Sequence, residues 1–310
     1  MIIEWEGQRV LPYLYPFETK PIQLCVIIEW QLISLKDVFV TTKNWEKRYD
    51  ITLKKSLGQN FLKDSSVADR IVALIPPHCK ECVEIGPGSG AMSEALLNRG
   101  LRVHAVEIDR RLEELLRDRF KDNSAFKLYM GDYLKFDIPE SLRDKSLAVI
   151  SNLPYNNGTA IIKKVLKDFP KLRVCIFMLQ KEVAQRLVSE PGKKSYGSLS
   201  VFMQYYFDIT VEFNVSPKSF YPQPNVDSTI LKFIPKVDKD LGQDPGEFFD
   251  FVRQGFAMRR KKLKNNYKFD IMLYARAIGL GDLIRAEEIS IENWVKLFKE
   301  VKKHGCIDNR

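Results

Sequence analysis

Between residues 51 and 235, short apolar runs alternate with amphipathic stretches. ECVEI (81–85), RVHAVEI (102–108), FKLYMGD (126–132), SLAVISN (146–152) and LRVCIFML (172–179) are rich in β-branched and aromatic residues and predict strands. Between them, SGAMSEALLNRG (89–100), RRLEELLRDRF (110–120) and TAIIKKVLKDF (159–169) carry apolar residues at helical spacing. This βαβα rhythm predicts an α/β fold with a mostly parallel, doubly wound sheet. DITVEFNVS (208–216) and STILKFIP (228–235), joined by a proline-rich loop, predict an antiparallel pair that closes one edge. From about 236 the strand signal stops. EFFDFVRQGFAMRRKKLKNNY (247–267), IMLYARAIGL (271–280) and SIENWVKLFKEVKK (290–303) have helical periodicity and predict a small all-α domain. PKVDKDLGQDPG (235–246) reads as the linker. The chain thus divides into residues 1–50, an N-terminal extension of unknown role, a sheet domain over 51–235, and a helical domain over 236–310. The tetrapeptide IIEW occurs at both 2–5 and 27–30, an echo too short to count as a repeat.

Charge changes this picture more than composition does. A chain with 45% hydrophobic and 29% charged residues is an ordinary globular sequence. It has no apolar run long enough for a membrane span and no secretory signal. Five scattered cysteines suit a reducing cytoplasm. The net charge of +9, however, favours an anionic partner, nucleic acid first.

Candidate chemistry gathers at the ends of the predicted strands. In VEIGPGSG, Gly86, Gly88 and Gly90 follow a strand and precede a helix, where a ligand can touch backbone without a Cβ in the way. Glu107, twenty-one residues after Gly86, ends the next strand and can accept both hydroxyls of a ribose. GPGSGA also satisfies the dinucleotide fingerprint, so a nicotinamide enzyme remains open on this motif alone. Asp132 and Asn152 follow the third and fourth strands, at the edge where ligands of open α/β sheets bind. Together these groups make a site for an adenine nucleoside.

The stretch SNLPYN (151–156) adds a reaction. An exocyclic adenine amine is a poor nucleophile because its lone pair is delocalised into the ring. Two acceptors for its N–H bonds would localise that pair: the Asn152 side-chain oxygen, and the Leu153 or Pro154 carbonyl in a turn made rigid by proline. Tyr155 offers a face on which a flipped base can stack. This chemistry needs no metal, and no spaced ligand cluster is evident among three histidines. Read bare, the tetrapeptide NLPY equally suits an asparagine-capped strand end with a packed tyrosine. No hydride-transfer partner for a nicotinamide is evident, so amino methylation by S-adenosylmethionine is the better reading.

From Lys54 to about residue 300 the chain resembles the ribosomal-RNA adenine N6,N6-dimethyltransferases of the KsgA type. LKKSLGQNFLKD, VEIGPGSG, VEID, GDYLKFD, SNLPYN, MLQKEVAQRL, PGKKSYGSLSVFMQYY, SFYPQPNVDS, FAMRRKKLKNN and LIRAEEIS carry that resemblance in order. It implies a Rossmann-like class I methyltransferase sheet with a small C-terminal helical domain. Asn60 and Leu62 would close over the S-adenosylmethionine, Gly86 would contact its methionine end, Glu107 its ribose and Asp132 its adenine amino group. Asn152, with the Leu153 or Pro154 carbonyl, would hold the target amine, while Tyr155 and Phe220 would stack on opposite faces of its ring. The implied reaction is dimethylation of two adjacent adenosines in a hairpin near the 3′ end of small-subunit (16S) rRNA, on the 30S pre-ribosomal particle, by a cytoplasmic monomer. Leu57 and Asn157-Gly158 depart from the family pattern, and residues 1–50 match nothing in it. The basic run Arg259, Arg260, Lys261 and Lys262 is expected to contact RNA phosphates. A non-catalytic RNA-binding factor on the same fold is the rival reading. Cys79 and Cys82 form a C-x-x-C without a partner pair, and Cys82 is expected in the core.

Overall fold

The structure is a computed structural model that describes residues 49, 60–153, 158–236 and 245–305. Its centre is a seven-stranded sheet built from β2 (Glu81–Ile85), β3 (Arg102–Glu107), β4 (Phe126–Met130), β5 (Ala148–Asn152), β6 (Val174–Gln180), β7 (Phe207–Val215) and β9 (Ser228–Pro235). The spatial order is β4-β3-β2-β5-β6-β9-β7. The first five strands pair in parallel, and β9 then pairs antiparallel with both β6 and β7. The predicted closing pair is therefore present, with a bulge between Val211 and Phe213 on the edge strand β7. A separate short pair joins β1 (Phe61–Leu62) to β8 (Phe220–Tyr221).

Side-chain alternation explains why the sheet is covered on both faces. Val83, Ile85, Val149, Phe177 and Phe233 point into one core, against Ile161, Ile162 and Val165 of helix α5 (Gly158–Asp168). Cys82, Val103, Ala105, Ala148 and Ile176 point into the other, against helices α1 (Ser65–Ala73) and α2 (Ala91–Asn98). Parallel strands buried on both faces read as continuous apolar runs, which is how these read in the sequence. Cys82 is a core residue, as expected. Helix α1 starts where the Asp64 carboxylate accepts the N–H groups of Ser66 and Val67, at 3.1 and 3.4 Å. Helix α3 (Glu113–Arg119) is preceded by a 3₁₀ turn over Arg110–Leu112, so the periodic stretch 110–120 is not one α-helix. The chain then adds α4 (Glu140–Arg143), α6 (Lys181–Leu187) and α7 (Ser198–Tyr206).

The C-terminal part contains helices α8 (Pro245–Gly255), α9 (Ile271–Ala277) and α10 (Ile291–Lys303). Trp294, Leu297, Phe298 and Val301 form the buried face of α10, whose start is capped by Ser290 Oγ accepting from Asn293 N–H at 3.2 Å. Their core also takes in Tyr196 and Val201 from the segment before and within α7, so the helices share it with the sheet portion. One expectation is corrected here. The helix predicted to run through the basic stretch stops at Gly255. A Cβ at that glycine would run into the Trp294 ring and lie 2.9 Å from the Tyr267 hydroxyl, so the helix ends wedged against α10. Residues 256–262 then turn, with Met258 N–H donating to Asn266 Oδ1 at 2.7 Å.

Candidate active site

Strand order reverses between β2 and β5, and a crevice for ligands opens at the carboxyl ends of strands flanking such a switch. Register places the expected groups there together. Ile85 pairs with Ser151, so Gly86 and Asn152 leave adjacent strands at the same level. Ser151 Oγ donates to the Ile85 carbonyl at 2.7 Å and locks those two ends. Glu107 ends β3 on the other side, with the Gly131 N–H on its carbonyl at 2.7 Å, which brings Asp132 alongside.

The three loop glycines have different tasks. All have left-handed φ, at 72°, 59° and 85° for Gly86, Gly88 and Gly90. A Cβ on Gly86 would meet nothing within 4 Å, so its outer side faces open space. On Gly88 it would strike the Phe61 ring at 2.6 Å, and on Gly90 the Phe120 ring at 2.8 Å. Gly86 thus has open space beside it, while the other two make room for aromatic side chains of the protein itself.

Glu107 is only 4% exposed. Its Oε2 accepts from Gly88 N–H at 3.0 Å and its Oε1 from Asp109 N–H at 2.9 Å. Burial pushes its pKa up, and those backbone donors pull it back. As an acceptor-only group at the end of β3, the ionised carboxylate suits a vicinal diol. Asp132 is half-buried, and its Oδ1 accepts from Leu134 N–H at 3.0 Å. Its loop is anchored by Tyr133, whose hydroxyl donates to Asp168 Oδ2 at 3.0 Å, with Lys164 Nζ 2.8 Å from the same carboxylate.

Asn152 is exposed, and its Nδ2 donates to the Asn60 carbonyl at 3.0 Å. Only the amide nitrogen can make that bond, so the side-chain orientation is determined and Oδ1 is left to accept. Leu153 is buried and gives its N–H to the Met178 carbonyl at 3.1 Å, which fixes the backbone entering the turn. Pro154 and Tyr155 lie outside the described residues, as do Leu57 and Asn157. Gly158 opens α5, and a Cβ there would touch Leu153 and Leu179 at an ordinary 3.7 Å.

Segment 60–62 spans the site. Asn60 is tied to Asn152, the Phe61 ring lies on Gly88, and Leu62 pairs with Phe220 through the β1–β8 bridge. Asn60 is therefore beside the crevice, whereas the Leu62 side chain, expected to close over the cofactor, is buried in the core that also holds Phe220. Phe220 differs from expectation: it is 2% exposed and packed in the core, so neither face of its ring is open to a base. Tyr221, the next residue, is half-buried.

The basic run also divides. Arg260, Lys261 and Lys262 are exposed, but Arg259 turns inward. Its Nε lies 2.9 Å from Glu287 Oε2, and its Nη2 donates to the Lys193 and Lys194 carbonyls. Of the four residues expected to contact RNA phosphates, Arg259 is thus engaged by protein groups, while the other three side chains are exposed.

Two features had no prior expectation. Phe61, within GQNFL, covers Gly88. Glu84, within VEIGPG, is a carboxyl only 2% exposed that accepts a hydrogen bond from Ser93 Oγ on α2. Burial raises its pKa to about 7, with the Glu107 charge adding and the Ser93 bond and Arg119 opposing.

Comparison with known proteins gives the family. The family model described as ribosomal RNA adenine dimethylase matches residues 51–303. The chain belongs to that family. A ribosomal RNA small subunit methyltransferase A of Francisella tularensis subsp. tularensis is 42% identical over 259 residues, covering 81% of this chain and 98% of its own. The enzyme of that name from F. tularensis subsp. novicida matches with the same identity and coverage. Among solved structures, a dimethyladenosine transferase from Plasmodium falciparum superposes with TM-score 0.66 at 24% identity, covering 79% of this chain and 98% of that one. The 23S rRNA methyltransferase ErmE superposes with TM-score 0.60 at 22% identity, covering 78% and 100%. Those two similarities establish a shared Rossmann-like methyltransferase fold.

Proposed function

We propose that this protein is an S-adenosylmethionine-dependent enzyme that dimethylates N6 amines of adenosine in small-subunit rRNA. Family membership supports the reaction, and the observation that carries it on this chain is the Asn152 side chain. Its nitrogen is engaged by Asn60, its oxygen is left as an acceptor, and it stands one strand away from the open side of Gly86. The finer target is two adjacent adenosines in a hairpin near the RNA's 3′ end, met on a pre-ribosomal small subunit.

The residues present fit an adenosylmethionine. Gly86 leaves backbone accessible, Glu107 has two acceptor oxygens for the ribose, and Asp132 suits an amino group on the adenine ring. When bound, that cofactor supplies an electrophilic methyl group. The protein's own part is to prepare the nucleophile. Asn152 Oδ1 accepts one N–H of the target amine, and the Leu153 or Pro154 carbonyl accepts the other, which draws the nitrogen lone pair out of the ring. As the nitrogen gains positive charge these acceptors hold it more tightly, so they favour the transition state over the ground state. Tyr155 stacks on the flipped base. Phe220, enclosed in the core, is left out of that stack.

Among the described residues no helix is long and apolar enough to cross a membrane. Labelled adenosylmethionine and unmethylated small subunits test the reading. Label recovered in N6,N6-dimethyladenosine is the expected result. Subunit binding without transfer would favour the non-catalytic factor instead.

A further inference from the structure

The inward turn of Arg259 has a consequence for the residues it holds. Segment 189–196 joins α6 to α7 and carries Pro191, Gly192, Lys193 and Lys194. Its backbone is tied at many points. Gly192, at φ 83°, gives its N–H to the Glu287 carbonyl at 2.6 Å. Tyr196 N–H donates to the Lys193 carbonyl at 3.0 Å, and Tyr196 Oη to the Ile289 carbonyl at 2.9 Å. Ser189 and Ser195 hydroxyls meet at 2.8 Å. Gln204 Nε2 donates to the Leu187 and Ser189 carbonyls at 2.9 and 2.8 Å. Arg259 completes the set by donating to the Lys193 and Lys194 carbonyls while paired with Glu287.

This turn therefore docks on the basic segment of the helical portion, within the reach of one arginine side chain. Its two lysine side chains are left exposed. Among the described residues none of Lys193, Lys194, Arg260, Lys261 and Lys262 has an ion-pair partner. The acidic groups of these segments only partly offset them. Glu287 is held by Arg259, which leaves Glu190 on the turn and Glu288, which accepts from Arg285 N–H at 2.7 Å, as the exposed carboxylates beside five cations. Five unpaired cations on a tied-down backbone make a strip that crosses from the sheet portion to the helices.

We propose that Lys193 and Lys194 contact phosphates of the same RNA that Arg260, Lys261 and Lys262 engage, with Arg259 as the positioning residue that keeps the two segments in register. The proposal rests on the RNA-substrate reading above and extends it to a second element of the chain. A rigid backbone matters because a phosphate contact made by a pre-placed lysine orders less chain on binding. It also distinguishes Arg259 from its neighbours: its guanidinium already has carboxylate and carbonyl partners, so it acts through the turn.

The test measures affinity for unmethylated small subunits over a range of salt concentrations. The variants are Lys193→Gln/Lys194→Gln, Arg260→Gln/Lys261→Gln/Lys262→Gln, Arg259→Gln, and the first combined with Arg259→Gln. Each lost phosphate contact lowers the log–log salt slope by about 0.7–0.9, so Lys193→Gln/Lys194→Gln should lower it by about 1.5. Adenosylmethionine affinity and the unfolding midpoint of that variant should match the parent, because both side chains are exposed. Arg259→Gln should reduce the slope in the parent background and add little once both lysines are gone. An unchanged slope for Lys193→Gln/Lys194→Gln, beside a lowered one for Arg260→Gln/Lys261→Gln/Lys262→Gln, would overturn this inference and leave the RNA reading standing. Unchanged slopes in both would overturn the two together. An Arg259→Gln effect that adds fully to the lysine effect would mean Arg259 touches phosphate itself, and the positioning role would fall.

Discussion

Glu84→Gln should remove a fall in stability that the parent protein shows as pH rises. Glu84 sits two residues before Gly86, on the sheet face covered by α1 and α2, where it accepts from Ser93 and feels the charge of Glu107. Burial raises its pKa from 4.5 to about 7. Between those values the folded protein keeps a proton that the unfolded chain has released. The folded state then binds more protons than the unfolded one, and stability must decline with pH across that window. The decline is absent below 4.5 and complete above about 7. At 1.36 kcal/mol for each tenfold change in proton affinity, it amounts to at most about 3 kcal/mol. Glutamine keeps a hydrogen-bonding partner for Ser93 without a titrating proton. Urea unfolding of both proteins, from about pH 5 to about pH 8.5, is the assay. The parent should lose stability relative to Glu84→Gln as pH rises, by a few kcal/mol in all. Carboxylates that Glu84 does not touch are common to both proteins and drop out of the difference, which then reports Glu84 together with its coupling to Glu107. Parallel curves would show that Glu84 stays ionised in the fold and would refute the reasoning.

Two other substitutions probe the cofactor side. Glu107→Ala should weaken adenosylmethionine binding by roughly 1.5–3 kcal/mol for each ribose hydrogen bond lost. It also strands the Gly88 and Asp109 N–H groups that the carboxylate now accepts, so calorimetric titration should find a large loss, and unchanged affinity would contradict the assignment. Gly88→Ala drives a Cβ to 2.6 Å from the Phe61 ring at a φ of +59°, which adds about 1–2 kcal/mol of left-handed strain. It should reduce both stability and cofactor affinity, and pairing it with Phe61→Ala should recover the part due to the clash; a double variant with fully additive losses would mean that Phe61 does not cover the loop.

Much of the fold was legible because its strands are buried on both faces. LAVI (147–150) and VCIFML (174–179) are continuous apolar runs of the kind a parallel sheet covered on both faces requires, and the glycine loop after ECVEI marks the ligand edge. The features that were not legible depend on partners far along the chain. Arg259 and Arg260 are adjacent and chemically identical, yet only the first meets Glu287, twenty-eight residues on. Phe220 lies in a proline-rich segment that reads as an exposed loop, but pairing with Leu62 buries it. Helical periodicity continues past Gly255 in the sequence, while the helix ends there, at a glycine packed closely against Trp294 far along the chain. Glu84 looks like one more polar residue in a strand until the register and α2 enclose it.

The central claim is that the end of β5 presents acceptors to an adenine amine, and single-turnover methyl transfer to unmethylated small subunits tests it most directly. Asn152→Ala should retain adenosylmethionine and RNA affinity near the parent values. Its chemical step should slow by about 10²–10³, the loss expected for one positioned transition-state hydrogen bond. Tyr155→Phe, run beside it, keeps the stacking ring and should transfer methyl at close to the parent rate, whereas Tyr155→Ala should be slow. Methyl transfer by Asn152→Ala at the parent rate would mean the strand end is structural, and the account of how this protein activates its substrate would be wrong.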